Sequence, residues 1–251
     1  MYCLYINSMR ALDVDITALT TLANAPYAYL LSTYYGMSTL TVAAFWNIEV
    51  LSIALPTYLL RGSAAYHRPN APVRNRFLLE SFQVQTSTAL LAIAVYVTAL
   101  WSALQTGIMN LFLISHFDIP TMELAHDETV VSIVVKVITA GIAARTFLLN
   151  PSIGAQTVSG TVTPTEPFEP AKADLSQHIE HNLKIQDKRK RTLVWQTMVA
   201  SVFMFTNTVQ RILTLKETDL TGASGYAGGW VFATWILSAW WTWVGNTEVD
   251  D

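Results

Sequence analysis

An all-α bundle of about six membrane-spanning helices is the fold this sequence predicts, and three observations predict it. Of 251 residues, 52% are hydrophobic and only 13% are charged, where a soluble domain averages about 25% charged. A soluble surface has to be covered by polar groups, so a larger core cannot explain that deficit. The charges present are gathered into short stretches between long apolar runs. Those runs reach the roughly 20 residues needed to cross a hydrocarbon layer about 30 Å thick at about 1.5 Å per residue. Eight Trp and ten Tyr suit a chain with two membrane–water interfaces. The net charge of −3 offers no basic face for nucleic acid. The single cysteine, Cys3, excludes an internal disulfide and a thiolate zinc cage. No basic segment leads directly into an apolar run with a small-residue cleavage site, so no cleaved signal peptide is expected.

Five runs meet the length criterion: Thr39 to Leu60, Thr86 to Leu104, Val130 to Leu149, Leu193 to Leu215 and the Trp-rich Gly225 to Val244. In the last, Trp240, Trp241 and Trp243 read as an interfacial belt. Ile16 to Tyr35 is a sixth run, diluted by Asn24, Pro26 and several hydroxyls that membrane helices tolerate. Gly107 to Phe117 is apolar but too short to cross, and reads as an interfacial or re-entrant segment. The count is therefore about six, between five and seven.

Lys and Arg in the loops set the orientation. Arg61, Arg68, Arg74 and Arg76 follow the Thr39 to Leu60 run, and Lys172, Lys184, Lys188, Arg189, Lys190 and Arg191 precede the Leu193 run. The intervening loop, Leu104 to Thr129, holds no Lys or Arg but does hold Asp118, Glu123, Asp127 and Glu128. The two basic loops are expected to be cytoplasmic and the acidic loop lumenal, with both termini cytoplasmic. The chain then divides into an N-terminal segment (1–15), a first group of membrane helices (16–149), a cytoplasmic loop (150–191), a second group of membrane helices (192–245) and an acidic tail (246–251). In the loop, Pro164, Pro167 and Pro170 predict disorder up to residue 170. Leu175, Ile179, Leu183 and Ile185 predict an amphipathic helix over Ala171 to Arg191. Its basic end is suited to anionic headgroups.

Glu49 is the most informative single residue. A carboxyl in mid-span is costly and marks a cavity or a partner. Two roles suit it. As a neutral group in a dry cavity it is a candidate general acid. Otherwise it makes an interhelical hydrogen bond, with Asn47 or with another span. Lys136 is its candidate counter-charge, unless that side chain snorkels to the interface. Arg145 and Arg211, near the expected cytoplasmic and lumenal ends of their runs respectively, are expected to snorkel. Asp118, in the dense set His116, Asp118, Glu123, His126, Asp127 and Glu128, is the second candidate catalytic carboxylate.

Metal binding finds little support in that set. Glu123 and His126 stand at i, i+3, which is half of a di-metal carboxylate pattern whose other half is missing. Helix capping by Thr121 or Asp127 is the alternative. His178, Glu180 and His181 read as a solvated helix face. Phosphate-loop, dinucleotide and nucleophile-elbow motifs are absent from the sequence. No aspartate-rich run suits magnesium and a diphosphate. Neither cofactor nor metal is expected.

Several strings resemble a group of fungal multi-pass membrane proteins. They are Ser32-Thr33-Tyr34-Tyr35-Gly36, Phe45-Trp46, Pro56-Thr57-Tyr58-Leu59-Leu60-Arg61-Gly62, and His67 to Arg76 with Phe77-Leu78-Leu79. They continue with Phe117-Asp118-Ile119-Pro120-Thr121, Glu123, Ala125-His126, Gly141-Ile142-Ala143-Ala144-Arg145 and Phe147 to Pro151, so that the likeness runs over roughly residues 20 to 155. The group is found in secondary-metabolite gene clusters, including those for indole-diterpenes, and has no defined catalytic residues to carry over. Trp46-Asn47-Ile48-Glu49 is also faintly similar to a string of the fungal membrane-bound terpene cyclases, although order and spacing depart from it and no second acid follows.

The resemblance implies an accessory role in making an isoprenoid-derived metabolite, in the endoplasmic reticulum membrane. The implied partners are the lipid bilayer, other membrane-bound biosynthetic enzymes and an apolar isoprenoid intermediate. A terpene cyclase with Glu49 as general acid and a small-molecule transporter are the alternatives. The cyclase requires Glu49 in a closed apolar cavity, the transporter a polar path to both sides, and a scaffold no cavity.

Overall fold

The computed structural model describes residues 13–60, 67, 76–119, 122–155 and 188–244. Residues 156–187 lie outside the described residues, and with them most of the stretch expected to be disordered, the expected amphipathic helix up to residue 187, and His178, Glu180 and His181, as do Cys3 and Thr121. All regular structure among the described residues is helical. The elements are α1 (Asp13–Thr33), α2 (Thr39–Leu60), α3 (Arg76–Glu80), α4 (Phe82–Gln105), α5 (Ile108–His116), α6 (Glu123–His126), α7 (Val130–Gly154), α8 (Lys188–Ile212) and α9 (Leu220–Val244). The six long helices have 21 to 25 residues, or roughly 31 to 38 Å at the helical rise. Three of them, α2, α4 and α7, are both long and apolar enough to cross a membrane.

Local chemistry sets several boundaries. Ser81 and Thr129 cap α4 and α7, their hydroxyls accepting from the Val84 and Ser132 amides, so α7 is capped by Thr129 and not by Asp127. The Gly107 φ of +70° breaks the chain between α4 and α5, a conformation that glycine adopts without a Cβ clash. Helix α7 outruns the expected Leu149 end. It passes through a π-helical turn, Arg145–Leu149, into Asn150–Gly154, with Pro151 in that last segment's first turn, where no amide bond is lost. Among the described residues α8 runs from Lys188 to Ile212, so the basic residues 188–191 are helical and continuous with the Leu193 run.

Five long helices close a ring in the order α1, α7, α4, α9, α8 and back to α1, while α2 lies outside against α1. Small residues set the spacing. A Cβ on Gly141 of α7 would overlap Ile93 of α4, and one on Gly225 of α9 would overlap the Phe112 ring of α5. The loops fall into two groups. At one end α3 meets the end of α7, His67 contacts Asp15 at 3.1 Å, and Ser152 Oγ donates to the Arg189 carbonyl at 3.0 Å. At the other, Asn110 accepts from the Tyr34 hydroxyl at 3.2 Å and the Asp219 amide donates to the His116 carbonyl. The described flanks of the two basic loops, His67, α3, the end of α7 and the start of α8, thus lie at one end of the bundle, and the described part of the acidic loop lies at the other.

Candidate functional site

Glu49, Lys136, Arg145, Arg211 and Asp118 each have a definite partner, and several of these partners differ from expectation. Glu49 does not pair with Lys136 or Asn47. Its Oε1 accepts from Arg211 Nη1 at 2.6 Å, tying α2 to α8. Arg211 therefore does not snorkel freely. Its Nε donates to Asn207 Oδ1 at 3.1 Å, and its guanidinium lies 5.5 Å from the centre of the Tyr27 ring. Asn207 in turn donates to Asn24 Oδ1 at 2.7 Å and to the Ala23 carbonyl at 3.0 Å. A polar relay thus crosses from α1 through α8 to α2. Glu49 is thus the ion-pair partner of a guanidinium between two helices, not a carboxyl alone in a closed apolar cavity.

Lys136 is charge-paired nearer the end of the bundle. Its ammonium donates to both oxygens of Glu128, at 2.8 and 2.7 Å, and to Thr33 Oγ1 at 2.9 Å. Arg145 is not a snorkelling residue either: it is 8% exposed, and its Nε donates to Thr88 Oγ1 at 3.1 Å. Asp118 is exposed and stands 3.5 Å from Lys216. Glu49 and Asp118 thus have separate partners and do not form a carboxylate pair. Of the Trp belt, Trp241 is core at 4% exposure, while Trp240 and Trp243 point outward and stack edge to face at 5.6 Å. No group of three or more metal-ligating side chains forms among the described residues.

At the acidic-loop end, Asp219 caps α9. Its Oδ1 accepts from the Gly222 amide at 2.6 Å and its Oδ2 contacts His116 Nδ1 at 3.0 Å. The amide bond first, and His116 second, hold the Asp219 carboxyl below the usual carboxylate range.

The feature that spacing arguments did not reveal is an apolar cavity of about 280 Å³ between α4, α5 and α9. Its walls include Tyr96, Leu100, Met109, Phe112, Tyr226 and Trp230. The phenol groups in the wall are already committed. Tyr96 and Thr234 share a hydrogen bond of 2.8 Å, and the Tyr226 hydroxyl donates to the Pro26 carbonyl at 2.8 Å. Trp230 sits between Tyr29 and Tyr96, at centroid distances of 5.9 and 5.7 Å, and braces the wall. Gly229 lies on the rim, and a Cβ there would meet nothing within 4 Å. The lining contains no carboxylate, lysine, arginine or histidine. Such a wall can hold an apolar group by burial but supplies no proton donor beyond committed phenols.

The signal for this cavity was present in the sequence as one face of α9: Gly222, Gly225 and Gly229 beside Tyr226, Trp230 and Ala233. No protein-family model matches the chain, and no curated protein or solved structure is significantly similar to it.

Proposed function

We propose that this chain is an integral membrane bundle of about six spans, resident in the endoplasmic reticulum, that holds an apolar intermediate for membrane-bound enzymes making an isoprenoid-derived metabolite, of which fungal indole-diterpenes are the type. The aromatic-walled cavity between α4, α5 and α9 carries the reading. Its volume of about 280 Å³ lies just under the small end of ligand pockets, roughly 300–1,000 Å³. It suits one compact apolar group or part of a chain. Six helices of 21 or more residues, three of them apolar enough to cross a membrane, support the membrane setting. The cyclase alternative asks for Glu49 in a dry cavity, whereas Glu49 is ion-paired and lies outside this one. The transporter alternative asks for a polar path, and this cavity is apolar.

Two variants in a producing host separate the readings. Gly229→Leu places a side chain in open space at the cavity rim, so the bundle should accumulate normally in membranes while product yield falls at least several-fold. Glu49→Gln should leave yield close to that of the parent. Loss of product with Glu49→Gln at normal membrane abundance would favour the cyclase. Unchanged product with Gly229→Leu would reject the cavity as the working site. Deleting the chain and extracting metabolites identifies the intermediate: an accumulated linear precursor would indicate cyclisation.

A further inference from the structure

Lys136 and Arg211 each have a carboxylate, Glu128 and Glu49. Arg145 has none among the described residues, although it is the most deeply buried of the three cations. Its Nε donates to Thr88 Oγ1, which tethers the guanidinium to α4. Nη1 and Nη2 bond to no described residue, and neither is sealed from solvent. A buried stem thus ends in an open fork of N–H donors. Water cannot fully solvate a cation held there, so an anion is needed to complete it.

The fork lies towards the basic end of the bundle. Thr88 is about 9 Å along α4 from Phe82 at the helical rise, and α3, just before Phe82, meets the end of α7. Acids at this end are engaged elsewhere: Asp15 contacts His67 and Glu80 accepts from Arg76, both at 3.1 Å. Arg189, Lys190 and Arg191 of α8 add positive charge there. The π-helical turn starts at Arg145 itself, and such turns are frequent at functional sites. Towards mid-span, Ile142 and Ile138 stand three and seven positions before Arg145, at helical spacing, and both are exposed.

We infer that Arg145 anchors a binding site for a phosphate group, carried by an anionic phospholipid at the basic end of the bundle. Nη1 and Nη2 donate to two phosphate oxygens, a geometry that the planar fork matches and a lysine does not. Thr88 holds the fork from behind, and the neighbouring bases draw the anion in. The acyl chains run down the apolar surface of α7 past Ile142 and Ile138. The site is separate from the α4–α5–α9 cavity and rests on the membrane setting proposed above.

The test uses the full chain extracted into maltoside micelles, which carry no phosphate. Two probes differ only in that group, dioctanoyl phosphatidic acid and dioctanoylglycerol. The half-saturating concentration of each is read from the shift in melting temperature. The phosphatidic acid should saturate at roughly tenfold lower concentration, as bonds to a charged group allow. In Arg145→Gln that ratio should fall to near one. Arg145→Lys keeps the charge without the fork and should keep only part of the ratio, which tests the site even where the Gln variant fails to fold. The double change Lys190→Gln with Arg191→Gln should leave the ratio largely intact. Equal saturation by the two probes, a ratio that survives in Arg145→Gln or is undiminished in Arg145→Lys, or one abolished by the Lys190, Arg191 double change would overturn the site. Inorganic phosphate, titrated against sodium chloride at equal ionic strength, separates the sources. It should give no shift, and a shift that Arg145→Gln removes would assign the site to soluble phosphate and reject the lipid. Alkaline extraction of native membranes tests the membrane setting by itself, so failure of the one is distinct from failure of the other.

Discussion

The Glu128–Lys136 and Glu49–Arg211 pairs are nearly equal in length, 2.7 and 2.6 Å, yet their side chains are 4% and 12% exposed in the first and 35% and 29% in the second. The first pair is enclosed where α1 and α7 meet and its ammonium is satisfied three times. The second clips the outlying helix α2 to α8 across a half-open seam. Separation, sign and distance are thus alike, and enclosure is what differs. Enclosure decides what each pair costs to break, because a buried charge that loses its partner has no water to replace it. It also sets how far the damage spreads: the enclosed pair belongs to the ring, whereas the open pair belongs to a helix that packs chiefly on α1.

The largest effect should come from Lys136→Met. It strands the Glu128 carboxylate, and a buried pair broken on one side costs about 3–5 kcal/mol. Thermal melting in nanodiscs should show this loss. The double change Lys136→Met with Glu128→Leu should recover most of it, since an apolar replacement of both partners is often neutral. A double variant as unstable as the single one would show that the pair's geometry, and not the stranded charge, matters there.

The open pair should yield a smaller and more local effect. Glu49→Leu should cost about 1 kcal/mol or less, as partly exposed pairs and interhelical hydrogen bonds do, with Glu49→Gln between it and the parent. Hydrogen exchange should quicken along α2 and stay unchanged in α4 and α9. Loss of protection throughout the ring would make the two pairs equivalent and dissolve the contrast.

The smallest effect concerns the exposed Asp219–His116 contact. The folded-state pKa of Asp219 is depressed, so its contribution is present above the unfolded carboxylate value of about 4 and is lost as pH falls through the lower folded value. Protection of the Gly222 amide, measured against its intrinsic exchange rate, should therefore fall below about pH 4 without a change in the ring, and Asp219→Asn should show the same lower protection at neutral pH. Protection at Gly222 that ignores both pH and the substitution would remove the cap from the picture.

Helix positions were legible because hydropathy and length are properties of a contiguous segment. The runs beginning at Thr39, Thr86 and Val130 fall within α2, α4 and α7. The diluted run from Ile16 is continuous helix through Pro26, since a bundle supplies packing that a propensity sum omits. The grouping of loops at two ends was legible from charge. Partners were not: Glu49 and Arg211 are 162 positions apart, and no spacing rule links residues on helices that are not sequence neighbours. The expected counter-charge, Lys136, instead finds Glu128 only eight positions away, across the capped start of α7. The cavity was hidden for the same reason, because its wall is assembled from three helices. Arg145 defeated the snorkelling rule because the π-helical turn and the extension to Gly154 set it further from the helix end than the apolar run implied.

Helix α1 has a consequence for how the protein is made. Proline at position 26 removes an amide from its ladder, and its side chains and carbonyls are engaged from elements far along the chain: Asn207 of α8 bonds to Asn24 and the Ala23 carbonyl, and Tyr226 of α9 bonds to the Pro26 carbonyl. During synthesis α1 emerges long before α8 and α9, so these partners arrive only after more than 180 further residues. Until then Asn24 stands without its mate, a polar group in an unfinished bundle. The bonds that centre the bundle are therefore among the last to form, and a chain truncated after α7 lacks every one of them.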